Sequence, residues 1–236
     1  MSSHTVDLTV QICRSCGGGA PIDVHFCPQC AKVLSLGRHG DFFTFLGVPR
    51  KLNLDAADLE SRFRALSRQF HPDYFYNASP AERRASLERS SYLNDAYRTL
   101  KQQVGRVTYL LELEGFALNA SDPSRASKEV PPALLEEVFA LNEELDSVRE
   151  LRAAGAPPAE WKARLQDARR PIEQKRAEHE EQLKALAAQW DALIDARGPE
   201  EERRATLTAL KERMLERNYI NNLLATIERE GATPDV

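Results

Sequence analysis

From about residue 40 onward, apolar positions recur at helical rather than strand spacing. Leu59, Phe63, Leu66 and Phe70 follow one another at i, i+4, i+7 and i+11, which makes one apolar helix face. Arg62, Arg64 and Arg68 are assigned to the opposite face. Asp55 is placed to cap this helix. Pro72 disfavours the α region for His71, so the helix is predicted to end by about Phe70. A new helix starts in "SPAE", with Ser79 at the N-cap, Pro80 at the first helical position and Glu82 completing a capping box. Leu93, Ala96, Tyr97 and Leu100 form its apolar stripe. A short helix in "DFFTFLGVP" comes before this pair and stops near Gly47 and Pro49. Another, in "GRVTYLLELEG", follows it and is closed by Gly115.

Residues 117–130, "ALNASDPSRASKEV", are small and polar and are broken by Pro123, so they read as a linker. Helical spacing then returns almost without interruption. One helix starts near Pro131 or Pro132 and reaches about Arg152; a second runs from about Ala159 to about Arg197. Gly198 and Pro199 mark a stop and restart, and a last helix reaches about Arg229. Short loops between long helices predict antiparallel neighbours, hence a three-helix bundle over residues 131–230. The predicted fold class is all-α: a helical hairpin region over 40–116, the linker and the bundle. A small cysteine-rich segment over 1–38 precedes them.

That segment changes the chemical picture. All four cysteines of the 236-residue chain lie within residues 13–30, as C-x2-C-x10-C-x2-C: Cys13, Cys16, Cys27 and Cys30. Each C-x-x-C can fold into a knuckle that aims two sulfurs at one ion, and Gly17 and Pro28 suit such turns. Some 30 residues bury too little surface to fold unaided, and a structural metal contributes on the order of 10–16 kcal/mol. The segment is therefore expected to be zinc-ribbon-like, with a closed structural zinc site. Thiolates also accept iron, so iron or an iron–sulfur occupant stays open, as does a redox-active pair of thiols. His25 lies beside Cys27 but is not needed once four sulfurs are present. His4, His39 and His179 read as solvated surface groups.

Composition limits the function classes. Apolar residues make up 42% and charged residues 29%, which suits a soluble globular protein. A net charge of −4 with intermixed signs gives no general attraction for nucleic acid or an anionic membrane. No apolar run approaches the roughly 20 residues of a membrane span. The opening residues lack a basic stretch followed by an apolar one, so a cytoplasmic location is expected. No nucleophile–base pair stands in a supporting context, and no enzyme activity is expected. A weak homodimer stays open.

Between the first two long helices of the hairpin region lies "HPD", His71-Pro72-Asp73. By itself it reads as a helix stop. Together with "DFFTFLGVP", "LESRFRALSRQFHPD" and "LNDAYRTL", however, it resembles a J-domain, the module that docks on DnaK-class chaperones and stimulates their ATPase. The segment "NDAYRTLKQQVGRVTYLLELEG" and the bundle helix "LLEEVFALNEELD" narrow the resemblance to HscB-type proteins of iron–sulfur cluster assembly. The resemblance covers residues 41 to about 230, and some members also carry an N-terminal tetracysteine segment. It implies chaperone docking by His71, Pro72 and Asp73, flanked by Arg62, Arg64 and Arg68, onto a DnaK/HscA-class ATPase. It implies binding of the IscU-type scaffold by Leu135, Glu136, Phe139, Glu143 and Tyr219. Periodicity alone would put Leu135 and Phe139 in a bundle core and leave the glutamates solvated. Tyr74 stands where J-domains commonly have lysine, and Ala140 where related proteins place glutamate. A general J-protein and a zinc-ribbon adaptor or redox protein are the rival readings.

Overall fold

The computed structural model describes residues 10–22, 24–36, 40–116, 118 and 134–232. Residue 117 and residues 119–130 of the expected linker lie outside them, as do His4 and His39. The chain divides into two compact units, Met1–Leu110 and Leu111–Val236.

In the first unit, β1 (Val10–Ile12) pairs antiparallel with β2 (Gly19–Pro21), with Gln11 opposite Ala20. This ribbon carries the first cysteine pair at its turn, and an isolated bridge between Phe26 and Val33 closes the loop around the second. Helices follow. Asp41 caps α1 (Phe42–Leu46) by accepting from Thr44 N–H at 2.9 Å, and Arg50 holds the same carboxylate. Asp55 caps α2 (Ala56–Phe70) through the N–H groups of Ala57 and Asp58. A single 3-10 turn, Pro72–Phe75, connects it to α3 (Pro80–Lys101). The capping box at Ser79 and Glu82 is present, with Pro80 in the first turn. Then α4 (Gln103–Leu113) follows a one-residue extended break at Gln102.

The core of this unit is built from the sides that periodicity picks out. Phe43, Leu46, Leu59, Phe70, Leu93 and Leu100 are buried together, with Phe63 and Leu66 packed against them. Phe63 stacks on Tyr97 with ring centroids 4.2 Å apart.

The second unit contains α5 (Leu135–Ala153), α6 (Pro158–Asp195) and α7 (Glu200–Ala232). Leu141, Leu145 and Val148 of α5 meet Trp161 and Leu165 of α6 and Ile220 of α7 in one apolar cluster. Helices α5 and α6 each end in a closed turn. The N–H of Gly198 reaches back to Leu193 O at 2.8 Å and that of Arg197 to Ile194 O at 3.3 Å, the doubled bond pattern that satisfies the last carbonyls of a helix.

One sequence expectation is overturned here. His179 is not a solvated surface group: it is 3% exposed on α6, with Nε2 2.5 Å from the carbonyl oxygen of Arg213. The side chain falls on the face of α6 that also buries Ile172 and Leu183, and burial lowers its pKa.

Candidate functional sites

The two C-x-x-C motifs fold into matching knuckles. In the first, Gly17 N–H donates to Cys13 O at 2.9 Å and Cys13 N–H to Gly18 O at 2.8 Å. In the second, Ala31 N–H donates to Cys27 O at 2.9 Å and Cys27 N–H to Lys32 O at 2.9 Å. The geometry needs a left-handed residue after each second cysteine. Gly17 supplies it at φ 74°, and Ala31 does so at φ 58°, at a cost of roughly 1–2 kcal/mol for a residue with a Cβ. The four Sγ atoms lie within 4.8 Å of one another. Cys13 and Cys30 are 3.7 Å apart, as are Cys16 and Cys27. A tetrahedral ion with bonds of about 2.3 Å to sulfur has sulfur edges of about 3.8 Å, so the four side chains fit a closed metal site. Burial opposes ionisation of Cys27, but hydrogen bonds from the backbone of Cys30 and Gln29 and from neighbouring thiols outweigh it and bring the thiol down to about 7. Cys16, beside it, moves the other way: a hydrogen bond from the Gly18 backbone lowers its pKa, but hydrogen bonds to Cys30, Cys27 and Cys13 and burial push it up to about 12, so Cys27 loses its proton before Cys16 does.

The second candidate site is the loop after α2. His71, Pro72, Asp73 and Tyr74 are all exposed. Asp73 N–H donates to His71 Nδ1 at 3.3 Å, which leaves Nε2 to carry the proton of the neutral ring. The Asp73 carboxylate lies 3.4 Å from the same Nδ1. What holds the loop lies behind it. The carbonyl of Phe70, the last residue of α2, accepts from Ser86 Oγ at 2.6 Å and Ser90 Oγ at 2.8 Å on α3.

The three arginines do not form one uniform basic face. Arg64 and Arg68 line a shallow surface with Ala57, Glu60 and Ser61, and Arg64 pairs with Glu60 at 2.5 Å. Arg62 turns the other way, pairing with Asp58 at 2.8 Å and donating to Gly47 O at 2.6 Å.

On α5, Leu135, Glu136, Phe139 and Glu143 are exposed, Leu135 by 40% and Phe139 by 67%. At 100° per residue they occupy about 100° of helix circumference, opposite the arc of Leu141, Leu145 and Val148 that enters the core. The bundle-core alternative for Leu135 and Phe139 is thus overturned. Ala140 is exposed beside them. Tyr219, on α7, is half-buried against the bundle core.

Sequence reading missed Arg89. It lies on α3 with no exposed surface, donating to Leu34 O at 2.7 Å and to Ser35 O at 3.3 Å, with its Nη1 2.7 Å from His25 Nδ1. Burial pulls its pKa down to about 10. A signal was present: Ser86, Arg89 and Ser90 continue the stripe of Leu93, Ala96 and Leu100 toward the N-terminus of α3, so polar side chains occupy core positions.

No family model matches the chain. It is 35% identical over 136 residues to the iron-sulfur cluster co-chaperone protein HscB of Homo sapiens, covering 56% of this chain and 56% of that protein. It is 40% identical over 108 residues to a co-chaperone protein HscB homolog of Vibrio cholerae serotype O1, covering 46% of this chain and 61% of that protein. The chain therefore matches 56–61% of the length of these two curated relatives. The crystal structure of human co-chaperone protein HscB superposes with a TM-score of 0.63 at 25% identity, covering 94% of this chain and 99% of that one. Chaperone HscB from Vibrio cholerae does so with a TM-score of 0.50 at 27% identity, covering 80% and 96%. The chain is thus similar in sequence and in fold to HscB co-chaperones, and it carries four cysteines close enough to share one ion ahead of its helices.

Proposed function

We propose that the chain docks on a DnaK/HscA-class chaperone through His71, Pro72 and Asp73, stimulates that partner's ATPase, and delivers an IscU-type scaffold to it in iron–sulfur cluster assembly. The observation that carries this reading is the exposed loop itself, three side chains turned outward while the carbonyl of Phe70 is tied down by Ser86 and Ser90. A loop ordered before binding loses less conformational freedom on docking. Arg64 and Arg68 border the surface that leads to it and give an acidic partner face a local attraction, with Arg62 set apart. The partner's active site performs the chemistry; this chain biases the partner's conformation and is not an enzyme.

In the same reading Leu135 and Phe139 are the apolar anchors of scaffold binding, and Glu136 and Glu143 border them. Tyr219 contributes from α7. One chain that holds both client and chaperone raises the effective concentration of each for the other. The four cysteines hold zinc, which supplies a rigid four-thiolate node to a segment with little core of its own.

The test is His71→Gln in the full chain. It is expected to abolish stimulation of the chaperone ATPase while helical content and scaffold affinity stay unchanged. Stimulation at the unmodified level would remove the docking reading.

A further inference from the structure

Phe70 immediately precedes His71, and its ring is fully buried. Two of its neighbours come from the tetracysteine segment. His25 meets it edge-on with centroids 5.0 Å apart, and Phe26 stacks against it at 5.9 Å. The Arg89 guanidinium lies 5.6 Å from the same ring.

These neighbours are held by the second metal knuckle. Phe26 directly precedes Cys27 and bridges to Val33, and the carbonyl of His25 accepts from Leu34 N–H at 3.0 Å. Arg89 binds that same loop at the carbonyls of Leu34 and Ser35 and at the His25 ring. Lys32, in the second knuckle, adds an ion pair at 2.9 Å to Glu82 of the α3 capping box. A continuous set of contacts therefore runs from the Cys27–Cys30 knuckle, through His25, Phe26 and Arg89, to the residue at which α2 stops.

We infer that the tetracysteine segment is a positioning element for the docking loop, and that Arg89 is the positioning residue that couples the two. Closure of the metal site fixes His25 and Phe26 against Phe70, and this sets the direction in which His71 leaves α2. Arg89 itself is buried and does not touch the partner. The inference rests on the proposed role of His71 only for its consequence in docking; the coupling of metal site to loop stands apart from that role.

The experiment uses the full chain loaded with zinc, the same chain stripped with a chelator, and Arg89→Met. Amide hydrogen exchange is followed at residues 73–78, with helices α6 and α7 as internal references, since α1 carries Phe45 against His25 and Arg89. ATPase stimulation is titrated alongside. Stripping and Arg89→Met are each expected to speed exchange at 73–78 by roughly tenfold or more. The references should keep their rates, and the chain concentration for half-maximal stimulation should rise. Should Arg89→Met unfold α1 and α3, Phe26→Ala replaces it, since that ring is only half-buried. Unchanged exchange at 73–78 after metal removal overturns the inference, even when His71→Gln abolishes stimulation and so supports docking. Faster exchange in a chain that never stimulates the ATPase supports the coupling and overturns the docking reading instead.

Discussion

His179 donates from Nε2 to the Arg213 carbonyl, and its Nδ1 has no hydrogen-bond partner among the described residues. A second proton would have to go onto that buried nitrogen. Burial accordingly depresses its pKa, with nearby Arg213 and Arg217 adding to the effect and the Arg213 carbonyl and Glu216 opposing it. The sign of the linkage follows. In the unfolded chain the group titrates near its ordinary value of about 6.5. Between there and the lower folded value the unfolded state binds more protons, so stability falls as pH drops through that window. His179→Gln keeps an N–H for the carbonyl but does not titrate. Between pH 7.5 and 5.5, thermal unfolding of the unmodified chain should shift downward more than that of the variant. Equal shifts would show that another group dominates. Its spacing from Ile172 and Leu183 placed it on the apolar face of α6, but the charged residues around it in "KRAEHEEQLK" made it read as solvated.

At the scale of elements, the junction of α3 and α4 depends on backbone proximity. A Cβ on Gly105 would lie 2.6 Å from the carbonyl oxygen of Thr99, closer than packed atoms allow. Arg106 next to it donates to Leu100 O at 2.6 Å and to Leu52 O at 2.9 Å, capping the end of α3. Gly105→Ala is therefore expected to cost about 1–3 kcal/mol, the usual range for overpacking, although alanine ordinarily favours a helix by roughly 0.5–1 kcal/mol over glycine. Gly231→Ala is the control: its Cβ would meet Leu165 Cδ1 at 3.7 Å, an ordinary contact. Denaturant midpoints should move down for the first and stay level or rise for the second. The end of α6 shows how far element boundaries were legible. Gly198 correctly signals a stop, but the left-handed residue is Arg197, at φ 51°. A Cβ at 198 would sit 2.7 Å from Leu193 Cδ2, the end of a side chain that can move aside, and 3.4 Å from Leu193 O, so the site favours glycine without requiring it.

For the whole molecule, the proposed roles fall on separate units, so they should separate by mutation. Replacing Leu135 and Phe139 together by alanine should leave thermal stability nearly unchanged, because both side chains are exposed. It should weaken scaffold binding by about tenfold or more, as loss of apolar anchors commonly costs above 1 kcal/mol each. Stimulation of the ATPase by the chain alone should persist, the reverse of His71→Gln. A binding titration with scaffold and an ATPase titration without it distinguish the two; an unfolded bundle would contradict the exposure of α5. The helices were legible in the sequence because apolar period and caps agree along α2 and α3, whereas α5 and α6 lack side-chain caps and were carried by their apolar period, which in α6 overrides the interior Pro171. The anchoring of the cysteine segment on α3 was not legible. It depends on Arg89 and His25, 64 positions apart, and a pattern read along one helix records no such pairing.

The 55 positions between Leu34 and Arg89 also order events during synthesis. Cys30 has left the ribosome well before α3 is made. At about 5–20 residues per second, Arg89 follows Leu34 by roughly 3–11 s. Given the proposed metal site, the nascent segment can thus take up an ion while nothing yet exists to dock against, and a cell short of metal would present the later helices with an unformed partner.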